Sequence, residues 1–206
     1  MINKDTLIFG SFSENPGNNG TLFFNNKFAE NNVNAIYKSF YATDIKQSFL
    51  AAKTIGFGGF AVSMPFKFEV VKLVDEIDEQ VKNIGAANTI LFKKDKSYAF
   101  NTDYLAAKTY LENLDINDLT ILGNGGFSKA IQYACKILKI NFKLITRENW
   151  DILEDHSENY IFNATPVDVQ REKLIDGRPH TETGKKLAIL QAEEQYQIYS
   201  ELFSKN

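Results

Sequence analysis

Apolar and polar positions alternate in short, regular stretches through the first hundred residues. Three runs have the compact apolar or alternating pattern of strands: residues 7–11, 35–40 and 58–63. Helical spacing separates these runs, and we expect Thr21 to cap the first helix and Asp44 to cap the second. Strands that alternate with helices predict an α/β domain with a mostly parallel sheet.

Further along the chain, the same patterns predict a hairpin and then a second α/β segment. Apolar runs at residues 89–92 and 98–100 flank a charged stretch, which is typical of a hairpin. The later pattern predicts, in order, helix 104–114, strand 119–122, helix 127–138, strands 142–146 and 160–163, and helix 186–203. Because a polar break at residues 115–118 precedes the restart, we interpret the later segment as a second domain.

Composition narrows the functional classes. With 206 residues, of which 44% are hydrophobic, the chain can bury a substantial core. A net charge of -3 without a basic run argues against nucleic-acid and membrane-surface partners, and no apolar run is long enough to span a bilayer. The single cysteine, Cys135, favours a reducing, cytoplasmic setting, and we expect it to be a packed core thiol. His156 and His180 lack the spacing of a metal site, so we expect no metal.

Polar residues in the first half of the chain suggest a small-ligand site. Lys67 follows a proline that should end the third strand, and Asp103 lies where the hairpin gives way to a helix. A lysine acts as a general acid or base near neutral pH only if its pKa is lowered or it shares its proton, and Asp103 is the candidate partner. Asn88 has the hydrogen-bonding groups to hold substrate hydroxyls. The simpler interpretation is an exposed lysine and asparagines that stabilise turns.

A glycine-rich turn in the second half is the candidate phosphate site. Gly-Asn-Gly-Gly at residues 123–126 lies between a predicted strand and a predicted helix, where free backbone amides and the positive helix end attract a phosphate. The strand after that helix ends at Arg147, which favours the 2′-phosphate of NADP, whereas Glu148 leaves NAD open. A tight turn with a solvated arginine is the structural alternative. The same glycine turn also occurs in methyltransferases, for which binding of S-adenosylmethionine would be the test.

Six sequence blocks resemble those of shikimate dehydrogenases and occur in the same order. They are Ser-Met-Pro-Phe-Lys at 63–67, Gly-Ala-Ala-Asn-Thr at 85–89, Asn-Thr-Asp at 101–103, Gly-Asn-Gly-Gly at 123–126, Asn-Ala-Thr-Pro at 163–166 and Gln-Ala at 191–192. The resemblance implies a substrate domain at residues 1–104, on which residues 184–206 pack, and a Rossmann-type NADP-binding domain at residues 105–183. It implies reversible, NADP-dependent reduction of 3-dehydroshikimate to shikimate, in aromatic amino acid biosynthesis through chorismate. The expected assembly is a monomer or a homodimer.

The resemblance also implies a role for each matching residue. Lys67 and Asp103 correspond to the catalytic pair, and Asn88 and Gln191 to residues that bind substrate hydroxyls. Ser63 stands where the family has a threonine that contacts the substrate. The residues assigned to the cofactor are Gly123, Asn124, Gly125, Gly126, Arg147 and Thr165.

Two departures from the family pattern affect function. The family binds the substrate carboxylate with a Ser-x-Ser pair, whereas residues 18–21 read Asn-Asn-Gly-Thr, so of these side chains only Thr21, assisted by backbone amides at a helix start, could take over that anion. This favours the shikimate dehydrogenase-like branch, whose substrate can be another cyclic hydroxy acid.

The second departure is a shortened nucleotide domain. About a dozen residues separate Arg147 from Tyr160, which is the minimum for one crossover. After Pro166 the chain is expected to pass directly to the last helix, without the family's further strand and helix. A more open adenine side should weaken cofactor binding. The alternative function is therefore a non-catalytic ligand-binding or regulatory paralogue.

Overall fold

The computed structural model describes residues 2–156 and 160–203, with the backbone alone at 154–156. The chain divides into two compact units: residues 1–102 with 192–206, called unit 1 here, and residues 103–191, called unit 2. Two helices begin in one unit and continue into the other. They are α4 (Thr102–Glu112) and α6 (Glu182–Ser200). The predicted assignment of these units to substrate and nucleotide stays a prediction.

Unit 1 is built on a six-stranded mixed sheet. Its strands are β1 (Leu7–Ser13), β2 (Ala35–Tyr41), β3 (Gly59–Val62), β4 (Glu76–Ile77), β5 (Thr89–Lys93) and β6 (Lys96–Phe100). Its complete helices are α1 (Asn19–Glu30), α2 (Ile45–Thr54) and α3 (Glu79–Ile84), with a short 3₁₀ turn at Val70–Lys72. The strand order is β2-β1-β3-β5-β6-β4, in which β5 pairs antiparallel with both β3 and β6.

Aromatic side chains form much of the core of unit 1. Phe9 on β1 is fully buried and stacks on Tyr199 of α6, with ring centroids 4.4 Å apart. On the same side, Phe24 stacks on Tyr37 at 4.4 Å. A second buried cluster, around Phe60, contains residues from β1, β3, β5, β6 and α2. Because residues 192–203 supply part of the first cluster, unit 1 is assembled from two separate stretches of chain.

Unit 2 is built on a four-stranded parallel sheet. Its strands are β7 (Asp118–Leu122), β8 (Asn141–Ile145), β9 (Tyr160–Asn163) and β10 (Leu174–Asp176), in the order β10-β9-β7-β8. Helix α5 (Gly126–Leu138) connects β7 to β8, and a 3₁₀ helix at Trp150–His156 follows β8. The chain leaves β7 for β8 on one side and then returns to β9 on the other, and this reversal of strand order is where open α/β sheets bind ligands.

The predicted α/β class is confirmed, as are the hairpin and the cap of α2. The hairpin turns through Lys94 and Asp95, both with positive φ, and Asp44 accepts a hydrogen bond from the Gln47 amide at 3.0 Å. The predicted cap at Thr21 is wrong, because the N-cap is Asn18, three residues earlier, and α1 begins at Asn19. The helix starts early because Asn18 already has helical backbone angles and its carbonyl accepts from Leu22.

The direct passage from Pro166 to the last helix is also wrong. Strand β10 intervenes and pairs in parallel with β9. Its apolar content is limited to Leu174 and Ile175, and charged residues precede and follow them. So short a strand is recognised by its pairing partner rather than by its own periodicity.

Candidate functional site

The polar blocks of the first half of the chain meet at one edge of the unit 1 sheet. The end of β3 lies beside the start of β5, since the Val62 amide donates to the carbonyl of Asn88 at 2.9 Å. The end of β6 adjoins the same point, because the Asn88 amide donates to the carbonyl of Phe100 at 3.1 Å. Further along, the carbonyl of Lys67 accepts from the Ala87 amide at 2.9 Å. Segments distant in sequence therefore share one edge.

Asn88 is the centre of a buried hydrogen-bond network at this edge. Its side-chain carbonyl accepts from the Thr102 amide at 2.8 Å and lies 3.1 Å from the Thr89 hydroxyl. The backbone donor settles the orientation of the amide group, because an N–H must face an oxygen. The other end of the amide donates to the Thr102 hydroxyl at 3.0 Å. With its oxygen saturated, Asn88 can offer a ligand an N–H donor.

Gln195 belongs to this network, although the sequence analysis did not single it out. Its amide nitrogen donates to the Thr89 hydroxyl at 3.1 Å and to the Tyr199 hydroxyl at 3.0 Å, and the side chain is 1% exposed. Since Thr89 accepts from Gln195, its own proton is directed onward towards Asn88 or Thr102. The available sequence signal was spacing: Gln195 lies one helical turn after Gln191, on the same face.

The two candidate proton-transfer residues are both buried. Lys67 is 9% exposed and Asp103 is 8% exposed, and neither charge is isolated. Lys67 belongs to unit 1, whereas Asp103 is the first residue of unit 2. Thr102, the residue before Asp103, donates its amide hydrogen bond to the side chain of Asn88. The first residue of α4 is therefore fixed by a hydrogen bond within unit 1. Ser63, by contrast, is exposed at the end of β3.

Thr21 has its hydroxyl engaged with the neighbouring strand. It accepts from the Ser39 amide at 3.2 Å and lies 3.1 Å from the Ser39 hydroxyl. An anion near the start of α1 would therefore meet two hydroxyls, those of Thr21 and Ser39, and the Thr21 hydroxyl already has hydrogen-bond partners on β2. Ser39 is a second residue that the sequence analysis missed, because nothing in the pattern of β2 marks it.

The glycine turn of unit 2 connects β7 to α5 as the sequence predicts. Gly123 has a φ of +95°, and a β-carbon there would approach the Thr165 methyl to 2.8 Å. A β-carbon at Gly125 would meet no atom within 4 Å, and no side chain caps the helix. The backbone at Gly125 therefore borders open space at the start of α5, and amides at the start of a helix can bind an anion such as a phosphate. Asn124 is exposed and Gly126 is buried.

The other cofactor candidates of unit 2 lie at the same carboxyl edge of its sheet. Arg147 is exposed just beyond β8, in a turn where Asn149 accepts from the Thr146 amide at 2.7 Å. Thr165 follows β9, and its hydroxyl lies 2.7 Å from the Asn163 side-chain oxygen while accepting from the Val167 amide at 3.1 Å. With those bonds made, Thr165 shapes its own loop.

Three further expectations concern the chain as a whole. Burial raises the pKa of the Cys135 thiol to about 12, so it is a packed thiol as predicted. Within residues 2–156 and 160–203, no group of three or more potential ligands could hold a metal ion, and His156 lies outside the described side chains. In that part of the chain, no helix has both the length and the apolar character that crossing a membrane requires.

Gln191 is the last residue of unit 2 and lies within α6.

Comparison with known proteins supplies the family. Residues 20–90 match the family model of the shikimate dehydrogenase substrate binding domain. A shikimate dehydrogenase-like protein of Haemophilus influenzae is 37% identical over 139 residues, which are 66% of this chain and 51% of that protein. The NADP(+) shikimate dehydrogenase of Pyrococcus furiosus is 32% identical over 199 residues, covering 85% of this chain and 72% of the relative.

A solved structure agrees with these relatives. The structure of a shikimate 5-dehydrogenase-like protein matches with a TM-score of 0.81 and 25% identity, covering 100% of this chain and 96% of that one. The match to the Haemophilus protein nevertheless spans only about half of that protein's length. The predicted resemblance is confirmed: the chain belongs to the shikimate dehydrogenase family.

Proposed function

We propose that the protein is an NADP-dependent oxidoreductase that interconverts shikimate, or a related cyclic hydroxy acid, and its keto form. The observation that carries this proposal is the convergence of the family's polar blocks at one edge of the unit 1 sheet, with Asn88 locked as a hydrogen-bond donor. Family membership and the name of the Pyrococcus relative support the substrate class and the nicotinamide.

In this proposal the protein supplies binding, orientation and a proton. When bound, the reduced cofactor NADPH would supply a hydride to the ring carbonyl carbon, and its oxidised form would accept the hydride in the reverse direction. Lys67 protonates the carbonyl oxygen in the reductive direction and accepts that proton in reverse, and Asp103 supports Lys67 in this role. Asn88, Gln191 and Ser63 bind ring hydroxyls, while Thr21 helps to hold the carboxylate. The polar contacts fix the ring so that one face is presented for reaction.

The cofactor is assigned to the carboxyl edge of the unit 2 sheet. The amides at Gly125 and Gly126 would hold the pyrophosphate, with Gly123 and Asn124 shaping the turn. Arg147 would pair with the 2′-phosphate, which favours NADP over NAD. Thr165 would border the dinucleotide through its loop. Because the sheet of unit 2 has four strands and a 3₁₀ helix is the described element between β8 and β9, we expect a weaker cofactor complex than in a nucleotide domain of the usual length.

Steady-state assays with shikimate, quinate and both nicotinamides test the proposal. Lys67→Met should lower kcat by about 10²- to 10⁴-fold, the usual contribution of general acid–base catalysis. Lys72→Met removes an exposed lysine from the nearby 3₁₀ turn and is the matched control. If Lys67 and Asp103 act as one unit, Lys67→Met combined with Asp103→Asn should be little worse than Lys67→Met alone. Equal kcat in the Lys67→Met and Lys72→Met variants would contradict the assignment.

A second candidate function is a non-catalytic ligand-binding paralogue. Its specific support is the four-stranded sheet of unit 2, in which a 3₁₀ helix is the described element between β8 and β9. Isothermal titration separates the two candidates. Binding of shikimate without binding of NADP or NAD would favour the paralogue and exclude the dehydrogenase.

A further inference from the structure

The connection between β9 and β10 is unusual for neighbouring parallel strands. Such strands are ordinarily joined by a crossover of a dozen or more residues that contains a helix. Here residues 164–173 make the connection through bends and turns alone. One apolar residue, Val169, anchors this connection in the core of unit 2. Polar contacts must therefore define most of its path.

Asn163, the last residue of β9, holds the connection from inside. Its side-chain oxygen accepts from the Thr165 amide at 3.0 Å, and its side-chain nitrogen donates to the Val167 carbonyl at 2.8 Å. The same nitrogen lies 3.4 Å from a carboxylate oxygen of Asp176, the last residue of β10. Asn163 is fully buried, so these bonds are shielded from water.

Arg178 holds the connection from outside. Its Nε and Nη2 groups donate to both oxygens of the Asp176 carboxylate, at distances from 2.6 to 3.0 Å. The same Nη2 donates to Asp168 in the loop at 2.6 Å. The side chain of Arg178 is 13% exposed, that of Asp176 is 10% exposed, and that of Asp168 is 67% exposed. One guanidinium thus ties the end of β10 to the loop that follows β9.

The backbone of Arg178 is itself fixed by the start of α6. A β-carbon at Gly184 would collide with the carbonyl oxygen of Arg178, so this carbonyl lies directly against the helix. Thr181 donates to the carbonyl of Asp176 at 2.6 Å and accepts from the Gly184 amide at 3.0 Å. The guanidinium therefore projects from a fixed point, which lowers the entropy lost in making the bridge.

The secured loop carries Thr165, whose methyl lies 2.8 Å from where a β-carbon of Gly123 would be. We infer that Arg178, bridging Asp176 and Asp168, is a positioning residue that holds the 164–168 loop against the glycine turn and so sets the width of the dinucleotide cleft. The inference rests on the proposed function in one respect, that a dinucleotide occupies this edge. The bridge takes the structural part that a crossover helix would have.

The test compares Arg178→Met, Arg178→Lys and Asp168→Asn with Lys136→Met, which removes an exposed positive charge from α5. Titration with NADP should give a Kd about tenfold higher for Arg178→Met, in the range measured for coupled neighbours. The Kd of Arg178→Lys for NADP should lie between those of Arg178→Met and the wild type, since an ammonium keeps the charge but not the planar, two-point hydrogen bonding of a guanidinium. Asp168→Asn should weaken NADP binding less than Arg178→Met does. We expect this variant to fold normally, because the Asp168 side chain is mostly exposed. The Kd for shikimate should be the same in all variants.

Amide hydrogen exchange in the ligand-free protein separates this inference from the proposed function. In Arg178→Met and Asp168→Asn, the Thr165 and Val167 amides should exchange faster than in Lys136→Met, while the core strand β7 keeps its protection. Unchanged exchange at both amides would overturn the inference, as would equal NADP affinity of Arg178→Met and Lys136→Met. A wild-type chain that binds no dinucleotide would overturn the proposed function, and exchange would still decide whether Arg178 holds the loop.

Discussion

The two units hold their candidate residues by opposite means. In unit 1, neutral side chains fix Asn88 in a buried network whose outer member, Gln195, also bonds to Tyr199 of the aromatic core. In unit 2, an ion pair near the surface fixes the loop beside Gly123. Buried neutral networks are costly to break and insensitive to pH, whereas an ion pair responds to pH and salt. Unit 1 therefore positions its candidate residues through buried hydrogen bonds, whereas unit 2 positions its loop through an ion pair near the surface.

The largest expected effect tests the core half of the comparison. Phe9→Ala should lower the free energy of unfolding by about 4 kcal/mol, because it leaves a cavity against Tyr199 and Phe28. The control is Phe142→Ala on β8, where the ring is half-buried at the edge of the unit 2 sheet, and we expect about 1 kcal/mol there. Urea unfolding followed by circular dichroism measures both. Equal losses would remove the contrast between the cores.

Next in size is the loss of the polar network of unit 1. Asn88→Leu should cost about 3 kcal/mol, since the Thr102 amide loses its acceptor and the Thr89 hydroxyl loses a partner while both stay buried. Asn83→Leu, on the exposed face of α3, is the control. Thermal unfolding of the two variants gives the comparison. A cost for Asn88→Leu no greater than that of Asn83→Leu would show that the network is not a stabilising element.

A pair of alanine substitutions in the glycine turn separates packing from ligand binding. Gly123→Ala should cost about 2 kcal/mol, because of its positive φ and the nearby Thr165 methyl. Gly125→Ala should be neutral within about 0.5 kcal/mol, since no atom lies within 4 Å of the added carbon. Gly125→Ala should therefore leave stability unchanged but weaken NADP binding, measured by titration, if a dinucleotide binds at this turn. Unaltered NADP affinity in Gly125→Ala would argue against a pyrophosphate over this turn.

The smallest expected effect is an acid sensitivity confined to unit 2. Burial acts to raise the pKa of the Asp176 carboxyl, but the hydrogen bonds and the charge of Arg178 outweigh it and hold that pKa below its usual range. A carboxyl whose folded-state pKa is depressed stabilises the protein above its unfolded pKa of about 4, and that contribution is lost as the pH falls through the folded-state value.

Trp150, the one tryptophan of the chain, lies half-buried in unit 2 and reports its unfolding by fluorescence. Urea midpoints of the wild type should fall more steeply below about pH 4 than those of Asp176→Asn, which has no such charge to lose. Parallel curves for the two proteins would show that Asp176 is not linked to the stability of unit 2.

How far the sequence predicts this molecule depends on how local each feature is. The Asp44 cap follows from a side chain and an amide three residues apart, and the hairpin from two alternating runs. By contrast, Gln195 reaches Thr89 across 106 positions, and no local pattern contains such a contact. Strand β10 and the start of α1 were missed for a related reason, since pairing and backbone angles decided them. The family blocks identify candidate residues, but the bonds that orient those residues are set by tertiary packing.

Helix α6 has a consequence for the order in which the protein folds. Its last turns, together with Phe203, complete the aromatic cluster around Phe9, whereas the whole of unit 2 precedes them in the chain. During synthesis, at about 5–20 residues per second, all residues of unit 2 are made before Tyr196 and Tyr199, which pack in the aromatic cluster of unit 1. Until then, part of the apolar surface of unit 1 stays open on the nascent chain. The helix that carries Gln191 and Gln195 is therefore also the element that completes the aromatic cluster of unit 1.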